Sequence, residues 1–199
     1  MTSLILASGS KIRASILDQA GITYQVERPD VDEAKIKEEC AAAGEDLVTT
    51  AQILADQKAL KVAKNTQNDD FILASDQILE FQGRGFDKPQ SMAEAKTRLQ
   101  EIQGETHTLI NAVTIAQNKK IVFRHIDRPM LHLRMMTDLE IDTYLREAGE
   151  DILSSVGAYQ VEKLGARLFD RIEGDYFAVL GLSIFPVLAF LRDHQVIEF

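Results

Sequence analysis

Cysteine is almost absent from this chain: Cys40 stands alone among 199 residues. One cysteine excludes an internal disulfide and any cysteine-based zinc site. Long apolar runs are missing too, and none approaches the length of a membrane span. The apolar stretch in the opening MTSLILASGSKIR is too short for a signal peptide, and no basic region precedes it. These absences lead us to expect a cytoplasmic protein that does not enter a membrane. Positive charge is scarce: 22 Lys and Arg face 31 Asp and Glu, for a formal net charge of −9. Such a balance argues against wrapping nucleic acid, whose backbone is held by lysine and arginine. A small anionic ligand would need a local cluster of cations, with a divalent metal to help. There is no internal repeat, no low-complexity segment, and no Pro/Gly/Ser-rich linker. The length suits one substantial core, or one domain with two lobes.

The most informative stretch is Phe71 to Pro89, FILASDQILEFQGRGFDKP. It opens as a buried strand, but Asp76 shares a face with Ile72, Ala74 and Ile78. Strands disfavour Asp, and a buried carboxylate needs a cation, a metal or hydrogen-bond donors. Gln82-Gly83-Arg84-Gly85 reads as a tight turn. Asp87-Lys88-Pro89 follows, and the pre-proline position favours extended backbone at Lys88. A carboxylate and an ammonium set by one hairpin would begin a metal–phosphate site. From these residues alone, a strand-end Asp and a loop Lys in solvent fit equally well.

Upstream, Ser3 to Ala7 reads as a strand, Ser8-Gly9-Ser10 as a turn, and Lys11 to about Ala20 as a helix. That layout presents backbone N–H groups to an anion. Ser8 or Ser10 would cap the helix, and Arg13 sits beside its apolar face; taken alone, the turn fits a plain strand–helix junction with a snorkelling Arg better than an anion site. Tyr24 to Glu27 reads as a strand, and Asp32 as the cap of a solvated helix, with Glu33 either a first-turn acid, which the pattern alone favours, or a metal ligand or base. In the long helix from Asp46 to about Lys64, Ala51, Ala55, Lys58 and Val62 share a stripe, which puts Lys58 among apolar residues. Its ammonium either snorkels out or meets an anion, since lysines are almost never buried unpaired.

Beyond the hairpin, Ser91 with Glu94 and Thr137 with Glu140 read as capping boxes of two helices, the first closed by Gly104 and the second ending near Gly149. Thr106–Ala116, Lys120–Ile126 and Met130–Met136 read as a β-meander. His107, His125 and His132 are scattered there in no zinc pattern, and we expect surface or pairing roles for them. Pro186 suits the first turn of a closing helix, and Gln195–Phe199 reads as a final strand.

Taken together, LILASGSKIRASIL, VDE at 31–33, QKALKVAKN, SDQIL at 75–79, DKP at 87–89, GETH at 104–107, GAYQVEKLG at 157–165 and IEGDYFAVLGL at 172–182 resemble the Maf family, nucleoside triphosphate pyrophosphatases also called septum-formation-inhibitor-like. The resemblance runs in order along nearly the whole chain. It implies an α/β fold with a long twisted mixed sheet, flanking helices and two lobes around a cleft, related to inosine triphosphatases, in one domain over 1–199. It also implies homodimers and release of pyrophosphate from a nucleoside triphosphate with a divalent cation, Mg²⁺ or Mn²⁺. By position, Ser8, Ser10 and Arg13 match the phosphate-binding turn. Glu33, Lys58, Asp76 and Lys88 match the charged catalytic residues, with Asp76 the proton acceptor and Asp76 and Glu33 the metal ligands. Gln77 and Glu162 match base-recognition positions and are similar to the branch acting on 7-methyl-GTP. Ile12, Ser155, Lys163 and Ser183 depart from the family's usual residues, Ser183 standing where Pro is usual and Lys163 where Gly is usual. The other reading of the same residues is a non-catalytic nucleotide-binding regulator of cell division.

Overall fold

The computed structural model describes residues 3–66 and 69–199. Among the described residues, eight strands, β1 (Leu4–Leu6), β2 (Gln25–Val26), β3 (Phe71–Phe81), β4 (Arg84–Phe86), β5 (Thr106–Gln117), β6 (Lys120–Asp127), β7 (Met130–Leu133) and β8 (Phe169–Glu173), form one mixed sheet in the order β2-β1-β3-β5-β7-β8, with β4 on β3 and β6 on β5. The chain divides into two compact units. The first comprises Met1–Asp76, Asn111–Asp127 and Gly181–Phe199, and the second Gln77–Ile110 and Arg128–Leu180. Two long strands, β3 (Phe71–Phe81) and β5 (Thr106–Gln117), pass from one unit into the other. Among the described residues no helix is long and apolar enough to cross a membrane.

In the first unit β1 (Leu4–Leu6) lies parallel to both β2 (Gln25–Val26) and β3, with Ile5 opposite Gln25 and Ile72. Helix α1 (Lys11–Gln19) links β1 to β2; α2 (Glu33–Ala43) and α3 (Leu47–Asn65) lead on to β3. Alternation along the strands sends Ile5 and Ala7 of the β1 segment, and Ile72 and Ala74 of β3, into one cluster with Ala59, Val62 and Ala63 of α3. Small residues dominate it, so strand and helix backbones approach closely, and the next residue on that face of β3 is Asp76.

In the second unit β4 (Arg84–Phe86) folds back on β3 with Phe81 opposite Arg84. The turn is therefore the pair Gln82-Gly83, both at positive φ (52° and 77°), a hairpin of the primed type. Helices α4 (Met92–Ile102) and α5 (Asp138–Ala148) cover a core built from Leu79, Leu99, Ile102, Leu131, Ile141 and their neighbours. The unit also holds β7 (Met130–Leu133), β8 (Phe169–Glu173) and the short helix α6 (Tyr176–Leu180). The chain returns to the first unit for α7 (Ile184–Asp193), with Pro186 in its first turn as expected.

Three local expectations need correction. The meander is a hairpin with a broken second strand: β6 (Lys120–Asp127) and β7 both pair with β5, at Asn111–Gln117 and Thr106–Thr108 respectively. Pro129 lies between them, has no N–H for the ladder, and only accepts, from Leu109 N–H at 3.0 Å. Of the two capping boxes, that of Thr137 and Glu140 closes reciprocally. At α4 Ser91 caps Glu94 N–H, but the Glu94 carboxylate takes the N–H of Gln90 instead, at 2.8 Å. Gln195–Phe199 forms no strand; Val196 N–H turns back to the carbonyl of Leu191.

Of the surface and pairing roles expected for the histidines, His107 takes the second: it is 2% exposed. Its Nε2 meets the Tyr159 hydroxyl at 2.5 Å, and Nδ1 has no partner. Burial, and then the neighbouring His132, push its pKa down to about 3. The native state thus holds His107 neutral, whereas the unfolded chain protonates it below about pH 6.5. The stability this contributes is complete above pH 6.5 and is lost as pH falls towards about 3. Each tenfold change in proton affinity is equivalent to about 1.4 kcal/mol, so the loss is on the order of a few kcal/mol. Urea midpoints should therefore fall more steeply between pH 7 and pH 4 in the wild type than in His107→Phe; parallel slopes would exclude His107 as the acid-sensitive group.

Candidate active site

Six of the expected residues gather in the first unit. Ser8 ends the β1 segment and is buried, because β1 is apolar to Ala7 and its backbone stays laddered: Ala7 N–H donates to the Leu73 carbonyl at 2.7 Å. The Ser8 hydroxyl accepts from Ser10 N–H at 3.1 Å and from Arg13 Nη1 at 3.3 Å. Ser10 occupies the cap position of α1, yet its own side chain makes no capping bond. The turn is thus organised by Ser8, and the N-terminal N–H groups of α1 keep their polarity for an anion. Arg13 also donates from Nε to the Gly181 carbonyl at 2.7 Å. Burial lowers the Arg13 pKa, while the charges of Asp76 and Glu33 act the other way. The guanidinium therefore lies within the field of both carboxylates.

Lys58 joins those carboxylates. Its ammonium is 2.5 Å from Asp76 Oδ1 and 2.9 Å from Glu33 Oε1. The side chains of Lys58 and Asp76 are 10% and 7% exposed and that of Glu33 is 47% exposed, so one buried pair is joined to one carboxylate that reaches solvent. The local causes are plain. Asp76 continues the Ile72–Ala74 face of β3, and Lys58 continues the α3 stripe packed on that face. Glu33 is the first residue of α2, just after Asp32, whose side chain caps Lys35 N–H at 3.0 Å. Among the described residues no group of three or more His, Cys, Asp or Glu side chains gathers to hold a metal.

The other expected residues, Gln77, Lys88 and Glu162, belong to the second unit. Gln77 points to the opposite face of β3 from Asp76 and donates from Nε2 to the carbonyls of Ala178 and Val179 in α6, at 2.8 and 3.1 Å. Both of its amide hydrogens are thereby used. The Asp87 carbonyl just before Lys88 accepts from Arg98 Nη1 at 2.9 Å, and the same guanidinium reaches the Val156 carbonyl and lies 4.5 Å from the centre of the Phe86 ring. Buried Arg98 thus ties the Lys88 loop to the 150s loop. Glu162 is exposed; its charge helps burial to raise the pKa of the half-exposed Tyr176 phenol.

The departures find local explanations in two cases. Lys163 has a negative φ of −127°, so no glycine is required, and its ammonium pairs with Asp151 at 3.5 Å rather than with Glu162. The glycine that matters in this loop is Gly165, where a Cβ would stand 2.5 Å from the Gln160 carbonyl oxygen. Ser183 is fully buried and donates to Asn111. Nothing in the structure explains Ile12 or Ser155. Sequence reasoning missed Ser75, Asn111 and Arg28. Arg28 lies against the Ser8–Ser10 turn, close enough that a Cβ on Gly9 would be 3.2 Å from its Nε.

The pattern described as Maf-like protein matches residues 3–194. The chain belongs to the Maf-like family. Among Maf-like relatives, a nucleoside triphosphate pyrophosphatase of Granulibacter bethesdensis is 40% identical over 194 residues, covering 98% of each chain. A 7-methyl-GTP pyrophosphatase of Rhizobium meliloti is 37% identical over 195 residues, again with 98% of each covered. Among solved structures the Staphylococcus aureus Ham1 protein superposes with a TM-score of 0.43 at 14% identity, over 69% of this chain and 73% of that one.

Lys58→Met tests the centre of this Maf-like site. It would leave Asp76 buried beside an apolar side chain, and removing one partner of a buried pair costs about 3–5 kcal/mol. We expect a clear fall in the urea midpoint, and recovery of much of it in Lys58→Met with Asp76→Asn, where no buried charge remains. A double variant no more stable than Lys58→Met would show that the charge of Asp76 is not what Lys58 offsets.

Proposed function

We propose that this chain hydrolyses the α–β phosphoanhydride of a nucleoside triphosphate to the monophosphate and pyrophosphate. The observation that carries the reading is Asp76: a buried carboxylate in direct contact with Lys58, in the field of Arg13, in a family whose curated relatives bear that activity in their names. Arg13 and the N–H groups after Ser8 are suited to bind phosphate oxygens. Lys58 supplies further charge to offset the polyphosphate, and Lys88, on the loop fixed by Arg98, is the third cation proposed for it. Asp76 is the group to orient or deprotonate the attacking water.

The donor set of Asp76 and Glu33 fits a hard divalent cation such as Mg²⁺ or Mn²⁺. Both are oxygen ligands, both have an oxygen within 3 Å of one ammonium, and Mg²⁺ is commonly held by one or two carboxylates plus substrate phosphates. When bound, such an ion supplies Lewis-acid stabilisation of charge developing on phosphate.

The test is pyrophosphate release from ordinary and modified nucleoside triphosphates, with Mg²⁺ or Mn²⁺ and with excess chelator. Activity should require the ion. Asp76→Asn is nearly isosteric and leaves Lys58 paired with Glu33, so the protein should fold while turnover falls at least about a hundredfold, the usual scale for a general base. Near-normal turnover in that variant removes Asp76 from the reaction.

Base choice is proposed to rest on Glu162. A carboxylate only accepts hydrogen bonds. It suits the N–H edge and positive charge of 7-methylguanine better than it suits thymine or uracil. Lys163 pairs with Asp151, which leaves the charge of Glu162 available. A charge-assisted bond contributes roughly 1.5–3 kcal/mol, or about ten- to a hundredfold in selectivity. The wild type should therefore favour 7-methyl-GTP over dTTP and UTP in kcat/KM, and Glu162→Gln should narrow the gap. An unchanged ratio would mean that Glu162 does not read the base.

A further inference from the structure

Behind the site lies a polar cluster that the proposed chemistry does not use. Ser75, Asn111 and Ser183 are each completely buried. Burying polar groups so completely is costly unless they are hydrogen-bonded. Asn111 Nδ2 donates to Ser75 Oγ at 3.1 Å and to the backbone carbonyl of Asp76 at 3.4 Å. Its Oδ1 accepts from the Ser183 N–H at 3.2 Å and from the Ser183 hydroxyl at 2.9 Å. The amide orientation is fixed, because a backbone N–H can only donate, so Oδ1 must face it. Ser75 Oγ passes the chain on, donating to the Gly181 carbonyl at 2.9 Å. That same carbonyl receives Arg13 Nε. One carbonyl oxygen is thus shared by Arg13 and by the neighbour of Asp76 in β3.

We infer that Asn111, held by Ser183, is a positioning residue that sets the spacing between Arg13 and Asp76. This rests on the function proposed above. The residue types follow from the geometry. A short planar group must donate on one side and accept on the other; Asp accepts only, Thr carries one oxygen for both tasks, and Leu does neither. Ser183 supplies two donors to one acceptor. A proline at 183 would have neither the N–H nor the hydroxyl, so Ser183 and Asn111 form a dependent pair. Gly181 has φ +102°, a left-handed conformation that L side chains rarely adopt, and this aims its carbonyl at both donors.

The experiment compares Ser183→Thr, Ser183→Ala, Ser183→Pro, Asn111→Leu and the pair Asn111→Leu with Ser183→Pro. Turnover and KM are measured per folded molecule, well below each variant's melting point, with binding of inorganic tripolyphosphate by calorimetry and Arg13→Ala as reference. We expect Thr to match the wild type, Ala to fall several-fold, and Pro and Asn111→Leu to fall at least about tenfold in kcat/KM. The double variant should be no worse than its worse parent within about twofold, and tripolyphosphate affinity should weaken in the direction of Arg13→Ala. Asn111→Leu and Ser183→Pro with lower melting points but wild-type kcat, KM and tripolyphosphate binding would overturn the inference and leave a structural role only. Additive losses would overturn the dependence of the pair. A wild type that releases no pyrophosphate from any nucleotide would sink the proposed function alone. The tripolyphosphate comparison would then decide the positioning: weaker binding in Asn111→Leu supports it, and unchanged or absent binding overturns it.

Discussion

The Lys58 ammonium, held between Asp76 and Glu33, is the contact on which the arrangement of the first unit turns. Two of the three charges are nearly out of solvent. Desolvating an ammonium and a carboxylate costs as much as their attraction returns, so such a pair is poor support for stability compared with apolar packing. Its geometry nevertheless fixes a great deal. It demands that α3 lie on β3 with Lys58 opposite Asp76, which the small residues Ala55, Ala59 and Ala74 permit. It also holds the first residue of α2 against the same point. A buried ion pair that adds little to stability and lies in the field of a further cation, the half-buried Arg13, is an arrangement more typical of a working site than of a core.

This centre is legible in the sequence because it violates local rules. An Asp in an apolar strand and a Lys in an apolar helical stripe each break the periodicity that surrounds them, and each violation asks for a partner. Glu33 is less legible, since an acid in the first turn of a helix is ordinary. The role of Ser8 is half legible: the small-residue turn is visible, but Ser10 is as good a candidate cap, and only the structure shows Ser8 accepting from both Ser10 and Arg13. The helices are legible through caps and stripes, and most of their boundaries follow from the same few residues.

What escapes sequence reasoning is governed by long-range pairing. Ser75, Asn111 and Ser183 are ordinary residues one at a time. Their partners lie 36, 72 and 106 positions away, beyond any pattern of period two or 3.6. The broken second strand of the β5 hairpin escapes for a related reason. Pro129 reads as part of a turn between two strands, but both flanking segments pair with the same edge of β5. The burial of His107 is hidden because its neighbours alternate as they would in any half-exposed strand, and the covering Tyr159 comes 52 residues later.

Register ties these features together. Ser75 and Asp76 are consecutive, so the pleat sends their side chains to opposite faces of β3. Asp76 meets Lys58 on the α3 face, while Ser75 meets Gly181 and Asn111 on the other. Shifting β3 by one residue would exchange the faces, placing the carboxylate among the serine and asparagine and the hydroxyl opposite the ammonium. Neither exchange is tolerable: Lys58 would lose a charge partner and the Gly181 carbonyl would face a carboxylate. The pairing Ile5–Ile72 and Leu6–Leu73 with β1 holds the strand in the one register that satisfies both faces. Because Ser8 lies just beyond β1, the same register also determines where the Ser8–Ser10 turn begins relative to Asp76.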